Sequence, residues 1–240
     1  MVTLCFDFGN TRLKCAVFID GFLHKLEVLL DDNTETITEL ITQHQPDKTI
    51  LSSVIKHNIG IESVLSDNSK FHKLNHQSKL PLTTPVGKPE TIGADRLAIC
   101  AASVHLFPNN HTLSIGLGTC ITYNFTTKNR EFLGGSISPG MHLRFKSMNE
   151  QTALLPLVIP QHDYPLVGYD TNTNLQSGVI LGISKEIDGI IDLYKEKYDN
   201  LQVLMTGGDM PFFTPHLKNK IYTDADLLFK GLYAISECNQ

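Results

Sequence analysis

Four short clusters carry the residue types that phosphate chemistry needs. The first is Asp7-Phe8-Gly9-Asn10-Thr11-Arg12-Leu13-Lys14. Gly9 has no Cβ, so the backbone there can approach a polyphosphate closely. Thr11 offers a hydroxyl, and Arg12 or Lys14 a cation. Asp7 ends an apolar run, where a fully buried, unpaired carboxylate would cost several kcal/mol. A magnesium ion carried by ATP would satisfy it. The plainer reading of the same residues is a β-turn in which Asp and Asn play ordinary turn roles.

The second cluster, Gly93-Ala94-Asp95-Arg96, opens an expected helix. A carboxylate in a first helical turn is stabilised by the macrodipole by ~0.3–1 kcal/mol. Asp95 is thus either a supporting first-turn residue or a general base beside a guanidinium that fixes a substrate. The third cluster is Gly116-Leu117-Gly118-Thr119, with the later run Gly134-Gly135-Ser136-Ile137-Ser138-Pro139-Gly140. Its glycines imply backbone crowded against a ligand or sharp turns between strands, and sequence does not separate the two. The fourth, Met205-Thr206-Gly207-Gly208-Asp209, follows a strand and would admit a nucleoside or simply end the strand.

The elements that must position these residues alternate. Val2–Phe8 is an apolar β-favouring run, Gly9-Asn10-Thr11 a turn, and Leu13, Cys15 and Val17 alternate as a strand does. Asp20-Gly21 signals a second hairpin. The glycine turn therefore joins two strands, unlike P-loop and Rossmann sites, which place a helix after their glycines. A helix with Ile37, Leu40 and Ile41 on one face, a strand over Thr49–Val54, a short helix around Ile61–Leu65 and a weak strand at Phe71–Leu74 follow. Pro81, Pro85, Gly87 and Pro89 mark a loop before a helix from Gly93 to His105. The second half opens as the first did, with strand Leu113–Ile115, the glycine turn, and alternating Ile121 and Tyr123. The two strand–turn–strand units lie close to half the chain apart, which suggests an internal duplication. One long helix is expected over Thr173–Tyr198, a strand over Leu201–Met205, and a closing helix around Leu227–Ile235. The expected division is an N-terminal lobe, 1–110, and a C-terminal lobe, 111–240.

Composition excludes several classes. The chain has 240 residues, 41% hydrophobic and 19% charged, as soluble globular proteins do. Its formal net charge is −5 and no stretch gathers Lys and Arg, so neither nucleic acid nor an anionic membrane is an expected partner. Five cysteines, an odd number with no C-x-x-C, read as reduced thiols of a cytoplasmic protein. The ten histidines form no metal-ligand pair. No run reaches the ~18 apolar residues of a membrane helix.

Taken together, these motifs resemble the type III pantothenate kinases, of the acetate and sugar kinase, Hsp70 and actin superfamily, in the family's order over nearly the whole chain. Asp7-Phe8-Gly9-Asn10-Thr11-Arg12 is similar to its first phosphate motif, Gly93-Ala94-Asp95-Arg96 to its catalytic motif, and Gly118-Thr119 to its second phosphate motif. Gly134-Gly135 through Pro139-Gly140, Leu154-Pro156, Asp170-Thr171 before Ser177-Gly178, Thr206-Gly207-Gly208, and Asp226-Leu227 through Leu232 follow the same pattern.

The resemblance implies an α/β fold of two related lobes of the actin-like ATPase (ribonuclease H-like) type, with mixed central sheets and an ATP cleft between them. It implies transfer of the γ-phosphoryl of ATP to pantothenate, with Asp95 as base and Gly93, Ala94, Arg96 and Thr171 holding the substrate. Asp7, Phe8, Gly9, Asn10, Thr11, Arg12, Leu13, Lys14, Thr119, Gly207 and Gly208 would bind ATP, with Mg2+ at Asp7. A homodimer is implied, with Thr171 reaching across it, and a monovalent cation, K+ or NH4+, near Gly116. There the chain departs from the family. Gly116 replaces an aspartate that helps bind the cation, Asn124 replaces another, and Val86 stands where a tyrosine is usual. The cation should be bound more weakly. Two rival readings are another kinase or phosphohydrolase of the same superfamily, and a regulatory binding protein with a degraded site.

Overall fold

A computed structural model describes residues 1–239 and forms two compact units. The chain opens with strands β1 (Val2–Phe8), β2 (Leu13–Ile19) and β3 (Phe22–Leu29), then helix α1 (Thr34–His44), β4 (Lys48–Ser53), α2 (Gly60–Asn68), β5 (Lys70–Lys73) and α3 (Ala94–Leu106). It continues with β6 (Thr112–Leu117), β7 (Cys120–Thr126), β8 (Phe132–Pro139) and α4 (Met141–Gln151). Then come α5 (Thr171–Gln176), α6 (Gly182–Lys197), β9 (Gln202–Thr206), α7 (Met210–Phe213), β10 (Tyr222–Thr223) and α8 (Leu227–Cys238). The first unit comprises Met1–Asn109, Lys128–Leu133 and Asp226–Gln240, and the second Asn110–Thr127 and Gly134–Ala225. Residues 128–133 and the closing helix thus belong with the first unit, although the expected division put both in the second lobe. The reason is packing. Gly231 of α8 lies so close to Ala98 of α3 that a Cβ would strike the Ala98 carbonyl.

Each unit is built on a five-stranded mixed sheet. The first has the order β3-β2-β1-β4-β5, and the second, read from its other edge, β8-β7-β6-β9-β10. In both, an antiparallel hairpin leads and a strand parallel to its first member follows: β1 pairs β2 antiparallel and β4 parallel, while β6 pairs β7 antiparallel and β9 parallel. The repeat suggested by two short turns is therefore a repeat of whole topology.

Strand periodicity decides which face each site residue takes. Along β1, Leu4, Phe6 and Phe8 enter the core beneath α1 and α2, with Ile37, Ile41, Ile61 and Leu65. Cys5 faces the opposite way, into a core with Ala94, Ala98 and Ala101 of α3 and Leu232 and Ile235 of α8. Asp7 shares the parity of Cys5, so it emerges on the α3 side. The core of the second unit gathers Ile115, Tyr123, Ile183, Ile187 and Met205.

Two expectations about elements change. The helix expected over Thr173–Tyr198 runs from Thr171 to Lys197, but widens to a π turn at Ser177–Leu181. Of the two readings of the glycines after Leu133, the sharp turn between strands does not hold for Gly134 and Gly135. They lie within β8, because Gly135 packs against the Tyr123 carbonyl of β7, where a Cβ would collide.

Candidate active site

The chemistry-bearing residues fall into two clusters, one in each unit. In the first, the β1–β2 hairpin closes with the Gly9 N–H donating to the Arg12 carbonyl, 3.2 Å. Its register sets Asp7 opposite Lys14, and the parallel pairing with β4 sets Asp7 beside Ser52. Burial pushes the Asp7 carboxyl up to about 7, and the neighbouring charge of Asp95 pushes the same way; Lys14 and the Ser52 hydroxyl only partly offset them. Asn10, Thr11 and Arg12 are exposed at the turn. Phe8 is fully buried and Leu13 half-buried, so at those two positions the backbone is what a ligand could meet.

Gly93 is the N-cap of α3 and Asp95 lies in its first turn. A Cβ on Gly93 would stand 2.5 Å from Asp95 Oδ1, so the glycine is what lets the carboxylate fold back over the helix start. Burial raises the pKa of Asp95, while N–H groups of Arg96 and of Asp95 itself, together with the Arg96 charge, lower it. Ala94 is packed in the core. The Arg96 guanidinium lies 5.5 Å from the centre of the Phe132 ring. A half-buried carboxylate with raised basicity, beside a second carboxylate and a guanidinium, can take a proton from a hydroxyl and favours a cation nearby. Among the described residues no three or more His, Cys, Asp or Glu form a protein metal cage. A magnesium ion that keeps water or phosphate ligands and takes one carboxylate fits this arrangement.

In the second unit, Gly118 and Thr119 form the exposed turn between β6 and β7, with the Gly118 N–H donating to the Cys120 carbonyl, 3.1 Å. Gly207, at φ 107°, sits on the Leu117 carbonyl, and the Asp209 N–H donates to that same carbonyl, 3.3 Å. Gly140 lies against Gly118 and Thr119, donating to the Thr119 carbonyl at 3.0 Å. Structure thus separates what sequence could not. Gly135, Gly140 and Gly207 are required by the chain's own packing. A Cβ on Gly118 or Gly208 would meet nothing within 4 Å, and one on Gly9 only ordinary contacts.

Asn124 is fully buried, its amide donating to the Ser114 carbonyl at 3.1 Å and to Thr122 Oγ1 at 3.2 Å. Gly116 pairs with Thr122 and Thr206 across the sheet. Thr171 is exposed just after Asp170, which caps α5 by accepting from the Thr173 N–H and hydroxyl, both 2.8 Å. Sequence reasoning missed Ser52, which only the β1–β4 register brings beside Asp7. It also missed α4, although Met141 and Phe145, four apart and both buried after Pro139-Gly140, carry a helical signal.

Residues 3–193 match the family model described as type III pantothenate kinase. A type III pantothenate kinase of Christiangramia forsetii is 37% identical over 241 residues, covering 100% of this chain and 99% of that protein. Among solved structures, a protein of Campylobacter jejuni described as a Baf family transcriptional activator superposes with TM-score 0.60 at 21% identity, over 98% of this chain and 97% of that one. A Listeria monocytogenes protein described as an N-acetylmannosamine kinase does so with TM-score 0.53 at 13% identity, over 99% of each chain. The fold is the two-lobed α/β type of the actin-like ATPases and sugar kinases.

Proposed function

We infer how this protein works from the fact that the chain belongs to the type III pantothenate kinase family. It is an enzyme that phosphorylates pantothenate with ATP, giving 4′-phosphopantothenate, the first step towards coenzyme A. The observation that carries the residue assignments is the pairing of two half-buried carboxyls, Asp7 and Asp95, with Lys14 and Arg96 beside them.

In this reading Asp95 accepts the proton of the pantothenate hydroxyl. An alcohol is too weak an acid to ionise beforehand, so the proton leaves late, as the new O–P bond forms. Arg96 and Gly93 hold the acceptor, and Thr171 completes its site. The hairpin turn around Gly9, with Asn10, Thr11 and Lys14, positions the phosphates. Bound Mg2+ neutralises phosphate charge, and Asp7 would be its protein ligand. Thr119, Gly207 and Gly208 would contact the nucleotide. No covalent enzyme intermediate is needed.

The finer assignments belong to the same proposal. The segment before Thr171 exposes Leu154, Ile159, Val167 and Tyr169, each at least 80% accessible, an apolar surface that a second copy of the chain would cover. A homodimer that shares Thr171 across its interface follows. A monovalent cation, K+ or NH4+, binds near Gly116 through carbonyl oxygens, more weakly than with an aspartate there. Among the described residues no helix is long and apolar enough to cross a membrane, and the enzyme works in the cytoplasm.

The test is Asp95→Asn. Phosphoryl transfer to pantothenate should fall ~100- to 10,000-fold while the folded state persists. Near-normal turnover in the folded variant would remove Asp95 from the mechanism.

A further inference from the structure

Helix α4 carries an arginine that the reaction as described does not use. Arg144 is largely buried, its side chain 23% accessible, and its guanidinium has three separate partners. Nε donates to the Pro139 carbonyl at 2.8 Å, and one terminal nitrogen donates both to Ser138 Oγ at 2.8 Å and to the Glu186 carboxylate of α6. The other Glu186 oxygen accepts from the fully buried Tyr123 hydroxyl of β7 at 3.0 Å. Four elements of one unit, β7, β8, α4 and α6, thus converge on one ion pair.

What that pair holds is the end of β8. The residue after Pro139 is Gly140, whose N–H donates to the Thr119 carbonyl and on which a Cβ would strike the Gly118 and Thr119 carbonyls. The glycine turn is exposed at both Gly118 and Thr119. A planar guanidinium fixed at three points is rigid in a way that an ammonium is not. The chain of contacts therefore runs from Glu186, through Arg144, to Pro139 and Gly140, and so to the turn.

We propose that Arg144, oriented by Glu186, is a positioning residue that sets the second phosphate turn and thereby the affinity for ATP, without belonging to the acceptor site. This rests on the reading of Thr119 as a nucleotide contact. Arg144→Lys keeps the charge but cannot reach all three partners. Tyr123→Phe leaves the Arg144 contacts to Ser138 and Pro139 intact, and Lys146→Ala changes an exposed residue of the same helix.

The experiment measures binding of a non-hydrolysable ATP analogue by calorimetry, the separate KM values for ATP and pantothenate, and thermal midpoints. Arg144→Lys and Glu186→Gln should weaken analogue binding and raise KM for ATP by about tenfold. KM for pantothenate should stay within about twofold, and Tyr123→Phe and Lys146→Ala should change analogue binding by less than about twofold. Unchanged analogue binding in a folded Arg144→Lys variant would overturn the proposal. So would equal losses for both substrates accompanied by a large drop in midpoint, which is what a merely structural ion pair predicts. Failure of the wild-type protein to phosphorylate pantothenate would instead defeat the functional reading, and the binding arm would still decide the role of Arg144.

Discussion

The Asp7 carboxyl at the end of β1 lies within electrostatic reach of Asp95 in the first turn of α3, and each is buried enough for its pKa to rise. Lys14 beside Asp7 and Arg96 beside Asp95 lower the two pKa values without cancelling the effect of burial. A bound cation would favour the charged form of both carboxyls.

This pairing predicts a pH dependence of stability. The folded-state pKa of Asp7 is raised to about 7 from 3.8, so between those values the folded protein holds a proton that the unfolded chain has released. Stability should therefore fall as pH rises through that window, by no more than about 4 kcal/mol from this group. Denaturant unfolding of the nucleotide-free protein at pH 5 and 7.5 measures the slope, which Asp7→Asn should flatten. Equal slopes in both proteins would show that Asp7 is not the group responsible.

Asp7→Ala should reduce turnover, since a phosphate-positioning charge is lost. Asp20→Ala removes the same charge from the β2–β3 hairpin, where the Asp20 carboxylate accepts from the N-terminal amino group at 2.6 Å. It should leave kcat and KM nearly unchanged. Similar behaviour of the two variants would separate the first turn from ATP binding.

The glycines give a paired prediction. Gly118→Ala adds a methyl into open space, so the fold should tolerate it while KM for ATP rises as the backbone can no longer approach phosphate. Gly140→Ala drives a methyl into the Gly118 and Thr119 carbonyls and should lower thermal stability as well, by about 1–3 kcal/mol. Thermal melts with ATP titrations distinguish them. Identical melting losses would contradict the distinction.

The missing aspartate is testable through salt. Gly116 offers only a carbonyl, and the amide of Asn124 is turned to Ser114 and Thr122. Activity should be higher in potassium or ammonium than in sodium, saturating at a higher concentration than in a Gly116→Asp variant. Equal rates in all three salts, unaltered by that substitution, would mean that the enzyme works without the cation.

Alternation and turn chemistry are local, so the residues themselves determined a good deal. Asp7-Phe8-Gly9-Asn10-Thr11 could be placed on a hairpin, Asp95 at a helix start, and the second glycine turn on a matching hairpin, because each depends on spacings of a few residues. What required tertiary structure was every relationship between distant segments. Ser52 comes to Asp7 through a parallel register, and Asp95 because odd positions of β1 face α3. The closing helix joins the first unit because Gly231 admits the backbone of α3. Likewise Gly135 and Gly140 look the same as Gly118 in a string of letters. Only the atoms packed around each decide that the first two serve the chain and the third stands open, since steric room is a property of neighbours that sequence separation does not encode.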